Sequence, residues 1–177
     1  MLIKQSLLRS VLIIALLTTH LFYSSKGYTH SNEVFSSKEI TERERFFRIF
    51  LVNGSRWWEE KFYQILWIEK TFFLENKQQL SQPLYEKHVN IIKKWQNIIK
   101  KRHHVFNTLC TLIELEIDAM RHVNEAKHSH KHTDLSNLMK HIETYQERIV
   151  KNKKELEKLD HEIEILYKVI IEYTKLP

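Results

Sequence analysis

The last quarter of the chain carries its most regular pattern of apolar and polar positions. Leu135, Leu138, Ile142, Tyr145, Ile149, Asn152, Leu156, Leu159, Ile163, Leu166, Ile170 and Tyr173 follow alternating steps of three and four, and only Asn152 breaks the apolar series. That is the a/d repeat of a helix packing in coiled-coil fashion. Asn152 falls at a d position, where a buried amide sets register at some cost in stability and an exposed one faces a wet gap; both readings stay open. The flanking positions divide the helix. Gln146, Arg148, Lys153, Glu155, Asp160 and Glu162 are polar, whereas Ile165, Tyr167, Val169 and Ile171 are apolar. The C-terminal end should therefore be wrapped by several neighbours. The middle shows a narrow seam that suits a helix of the same chain, a different partner or a second copy.

A second long helix is predicted over residues 83–126. Leu84, His88, Ile91, Trp95, Ile98, Arg102, Val105, Leu109 and Leu112 keep the same alternation, with Ile92, Ile99, Phe106 and Ile113 beside them. The stripe then slips by one residue to Ile117, Met120 and Val123, and the basic run of residues 100–104 suggests a bend. Residues 127–133 read as a loop, with Thr133 or Asp134 able to cap the last helix.

Upstream, Ser36 and Glu39 have capping-box spacing. They predict a short helix over residues 38–51 with Ile40, Phe46, Phe47 and Phe50 on its apolar side. Asn53-Gly54 is a turn signal, and Ser55 would cap a new helix. That helix carries Trp58, Phe62, Ile65 and Phe72, widened by Trp57, Leu66, Trp67, Ile68 and Phe73. Such breadth implies cover on more than one side. Ser81-Gln82-Pro83 ends it, since Pro is tolerated in a first turn and disfavours helix before it.

The first 27 residues read as an address. Lys4 and Arg9 precede the apolar run of residues 11–17, and Ser25 and Gly27 place small residues for cleavage before Tyr28. This is the layout of a secretory signal peptide, with an uncleaved signal anchor as the alternative. Residues 28–37 form a polar lead-in, and residues 38–177 a single helical domain. With two Gly and two Pro among 177 residues, tight β-turns are scarce. The expected fold is all-α: an antiparallel bundle of three to four helices, with long third and last helices and a coiled-coil-like C-terminal helix.

The net charge of +6 overstates the basicity. Lys4, Arg9 and Lys26 lie in the leader, leaving 25 basic residues against 22 acids, or +3. Nucleic-acid binding needs a dense basic stripe, so no nucleic acid is expected. Cys110 lies in an apolar run and reads as a core thiol. His128, His130 and His132, with His122 and His141 nearby, could bind zinc loosely. Lys127 and Lys131 oppose a cation there and no Cys or carboxylate closes the set, so no metal and no cofactor are expected. The chain has no phosphate-cradling Gly loop, no GxSxG and no HExxH, and its carboxylates alternate with Lys along helix faces. It does not read as an enzyme.

Trp58-Glu59-Glu60-Lys61-Phe62, then Lys93-Lys94-Trp95, then Phe106-Asn107-Thr108-Leu109 ahead of Leu112-Ile113, form a series that resembles the helical domain of the PHIST (PRESAN) family of exported Plasmodium proteins. The likeness covers roughly residues 38–125. It departs in placing Trp57 and Trp58 directly against the acidic pair, where the family's first tryptophan stands several residues earlier. The family's export pentamer, R-x-L-x-E/Q/D, has a relaxed counterpart in Lys38, Ile40 and Glu42. The resemblance implies an adaptor, secreted or exported to the host erythrocyte, that binds the host membrane skeleton or the tails of parasite surface proteins. It supplies no catalytic residue. The alternative is a membrane-anchored helical stalk or oligomer. Two groups are candidate partner contacts. Trp57 and Trp58 are adjacent on a helix, so one should point outward. Tyr145, Ile149, Asn152, Leu156 and Leu159 form the narrow seam.

Overall fold

A computed structural model describes residues 35–75, 80–128 and 135–174. They form three helices, and no strand occurs among them. Helix α1 spans Ser37–Ile68 and runs directly into a π-helical stretch, Glu69–Glu75. Helix α2 spans Gln82–His128 and α3 spans Leu135–Thr174. No helix among the described residues is long and apolar enough to cross a membrane.

The start of α1 is set by the predicted capping box. Ser36 Oγ accepts from the Glu39 amide at 3.2 Å, and the Glu39 carboxylate accepts from the Ser36 amide at 2.7 Å. These two bonds satisfy donors that a helix start leaves orphaned. Phe35, assigned to the lead-in by sequence, is buried in the core just before this cap.

The helices run up, down and up. Between α2 and α3, Trp95 stacks on Tyr167, Arg102 bonds Asp160 and Glu116 bonds Gln146, so numbers rise on one helix as they fall on the other. Between α1 and α2, Arg43 meets Glu116, Trp57 meets Arg102 and Phe72 meets Tyr85, again in opposite directions. The α3 stripe therefore pairs in cis with α2. Ile142, Ile149, Leu156, Leu159, Ile163 and Ile170 are all buried.

The core falls into two clusters. One joins Ile40 to Val105, Leu109, Leu112, Ile113, Ile142 and Ile149. The other joins Ile68 and Phe72 to Ile92, Trp95, Ile99, Ile163 and Ile170, with Leu166 and Tyr167 packed against it. In the second cluster α3 meets both neighbours and Tyr167 packs there, but Ile165, the first of the apolar flanking positions, stays exposed, so the expected cover of this end is only partial.

One expected interruption is absent, and the stretch expected to bend stays helical throughout. Helix α2 passes through the basic run of residues 100–104 without a break. Helix α1 passes through Asn53-Gly54, so the expected short helix and its successor are one. Gly54 serves packing instead of a turn. A Cβ there would lie 2.0 Å from Phe106 Cζ, and Phe106 is itself stacked on Phe50 at 4.8 Å. A mid-helix glycine costs about 1 kcal/mol relative to alanine, a loss that close packing of α1 on the Phe106 ring offsets.

Gly54→Ala is accordingly expected to destabilise the chain by about 1–2 kcal/mol in urea melts, because ring displacement outweighs the gain in helix propensity. In a Phe106→Leu background the same change should cost less than half as much. An alanine that stabilises the otherwise unchanged chain would show that the close approach is not formed in solution.

Candidate interaction face

The inward line of α1 is Ile40, Phe47, Gly54, Lys61 and Ile68, at steps of seven. Four of these are buried, and Phe47 is packed against the first core cluster. Trp57 and Trp58 lie either side of this line, and both turn inward to half-buried positions. The Arg102 guanidinium stacks on the Trp57 ring at 3.8 Å, and Trp58 lies 4.4 Å from the His103 ring. Neither tryptophan is the outward anchor that their adjacency suggested. Two neighbours on a helix are about 100° apart, so a pair can straddle the inward direction.

Two polar clasps hold this orientation. In the first, Glu116 is fully buried and accepts from Arg43 Nε at 2.9 Å, Arg43 Nη2 at 2.6 Å and Gln146 Nε2 at 3.0 Å. One carboxylate thus joins all three helices. Lys153 lies beside it over the Phe46 ring, its amine pushed down to about 8 by burial and then by the Arg43 charge. In the second clasp, Arg102 forks onto Asp160 at 2.9 and 3.3 Å from beneath Trp57. The buried Lys61 reaches Glu164 at 3.3 Å, with its charge near the Trp57 and Tyr167 rings.

The C-terminal seam is used within the chain. Ile149, Leu156 and Leu159 belong to the first core cluster, with Tyr145 packed against it. Asn152 is half-buried, and its amide donates to the Arg148 carbonyl one turn back. Among the described residues it makes no hydrogen bond across the bundle, so it supplies no register lock. Lys38, Ile40 and Glu42 form the first turns of α1: Ile40 is buried, and Lys38 and Glu42 pair on the surface at 4.0 Å.

The outward surface of α1 departs furthest from expectation. Phe62, Leu66 and Trp67, expected to be covered, are exposed, as are Ile49, Val52 and Tyr63. The signal was the heptad line through Gly54 and Lys61. Neither residue type looks like core, so the apolar positions around them gave the wrong phase.

His130 and His132 lie outside the described residues. His122 and His141 are exposed, and no metal-holding group of three His, Cys, Asp or Glu occurs among the described residues. Cys110 is half-buried, and burial followed by the Glu114 charge pushes its thiol up to about 11. It is therefore protonated and unreactive at neutral pH. Comparison with protein-family models, with curated proteins and with solved structures returns no match.

One titratable group is caged at the far end of the bundle. His88 is 1% exposed and stacks on Tyr173 at 4.2 Å, edge-on to Phe72. Among the described residues neither ring nitrogen has a hydrogen-bond partner, and Ile92 and Ile170 line the same small pocket. Burial, reinforced by the Lys87 charge, lowers its pKa below the ordinary 6.5. The unfolded chain thus takes up a proton before the folded chain does. The contribution is fully present above pH 6.5 and is lost as pH falls from there through the lower folded value. The thermal midpoint should fall between pH 7.5 and pH 5.5, and His88→Phe should flatten that slope. Equal slopes in the two proteins would show that His88 is not buried neutral.

Proposed function

We propose that the chain is a secreted or exported helical interaction protein, an adaptor of the kind the PHIST resemblance implies. The observation that carries this reading is the outer face of α1, where Phe62, Tyr63, Leu66 and Trp67 stand exposed on a helix clasped firmly from behind. Large apolar side chains clustered on one rigid face are typical of protein contact sites, and aromatic residues dominate the energetics of such sites. The leader pattern of residues 1–27 supports passage through the secretory pathway. The proposed partners are proteins of the host membrane skeleton or the tails of parasite surface proteins.

Proximity labelling from a tag on the C-terminus is the test. Labelling of such partners is expected, falling at least ~10-fold in a Phe62→Ala/Trp67→Ala variant that keeps its helicity. Retention in carbonate-washed membranes, with labelling confined to secretory membrane proteins, would instead establish the anchored stalk.

A further inference from the structure

The outer face of α1 has an internal order that specifies an occupant. Its outermost line is Ile49, Val52, Arg56, Glu59, Tyr63 and Leu66, at steps of three, four, three, four and three. This is the a/d spacing of a two-helix seam. The apolar members are 51%, 51%, 61% and 46% exposed, and Arg56 and Glu59 are exposed as well. Among the described residues neither Arg56 nor Glu59 has an ion-pair partner within the chain, although Glu60 contacts Lys61 and Glu44 is paired with Arg48 and Arg121. A central pair of opposite charges is thus left open between two apolar ends.

We propose that this stripe docks a second copy of the chain, antiparallel, about a two-fold axis level with the Trp57–Trp58 peptide. The inference rests on the outer face being an interaction surface and names its occupant. From either end, the line is self-complementary. Reversal sets Ile49 against Leu66, Val52 against Tyr63 and Arg56 against Glu59, each pairing occurring twice, as an isologous interface requires. A parallel arrangement would set Arg56 against Arg56 and Glu59 against Glu59, placing like charges at the centre. The charge along the helix agrees. Exposed Arg45, Arg48 and Arg56 lie on the N-terminal side of the two-fold axis and exposed Glu59, Glu60 and Glu69 on its C-terminal side, so antiparallel copies bring these opposite charges together. Exposed Glu39 and Glu42 on the first side and Lys70 on the second reduce this asymmetry without reversing it. The seam from Ile49 to Leu66 is about 27 Å long at 1.5 Å per residue, and it stops where the π-helical stretch breaks the α-helical phase. Phe62 and Trp67 flank it and extend the apolar contact. A lipid surface fits poorly, because it would desolvate Arg56 and Glu59 without pairing them.

Sedimentation equilibrium of the full chain tests the register. The chain is expected to be a dimer, and Arg56→Glu or Glu59→Arg alone should raise its dissociation constant at least ~10-fold. The combined R56E/E59R chain should return to within ~3-fold of the original, since reversing both charges restores both pairs. Both positions are exposed, so circular dichroism should be unchanged throughout. A chain that stays monomeric up to about 1 mM, or a dimer insensitive to the single swaps, or one that the double swap fails to restore, overturns the proposal. If a monomeric chain still labels other proteins through Phe62 and Trp67, the adaptor reading stands and only the second copy falls.

Discussion

Glu116 sets the terms for the rest of the bundle. A fully buried carboxylate must be charge-compensated and hydrogen-bonded, and Arg43 and Gln146 are the groups that do this. They come from the other two helices. Leaving such a carboxylate unpaired costs about 3–5 kcal/mol, whereas exposed ion pairs such as Lys101–Glu155 contribute about 0–1 kcal/mol. The buried charge therefore selects register in a way that apolar stripes alone do not. Leu, Ile and Phe would pack almost as well one turn along, but Arg43 would then miss Glu116.

The orientation of α1 follows from that contact and the Arg102 clasp. Arg43, Trp57 and Lys61 are all drawn toward α2 and α3, which turns Gly54 onto the Phe106 ring. With that line facing inward, the opposite line from Ile49 to Leu66 has no cover among the described residues. The exposed face is thus a consequence of the buried polar groups, and the two are parts of one arrangement. The coiled-coil seam of α3, by contrast, is consumed by α2. Among the described residues, the exposed large apolar side chains gather mainly on the first helix.

Much of the fold was legible in the sequence. The α3 repeat never slips and the α2 stripe is long, so both helices were open to direct reading, as was the Ser36–Glu39 cap, whereas the pattern left open whether the α3 seam meets α2 or a partner. The α2 stripe even included His88 and Arg102 at their true inward positions. Glu116 was less visible. It continues the alternation after Leu112, but a charged residue in a seam looks like an error, so the local pattern favours a slip to Ile117. Both residues are buried. Gly54 and Lys61 misled in the same way, one as a turn signal and the other as a solvated charge. In each case the residue makes sense only beside a side chain distant in sequence, and local periodicity carries no such information.

A double-mutant cycle between Arg43 and Glu116, read by denaturant unfolding, tests the central claim most directly. Arg43→Met and Glu116→Leu should each destabilise the chain by about 3 kcal/mol or more, with the double variant losing at least ~2 kcal/mol less than the two together. Additivity within about 0.5 kcal/mol would contradict the account, because it would mean that the buried carboxylate does not tie α1 to the bundle.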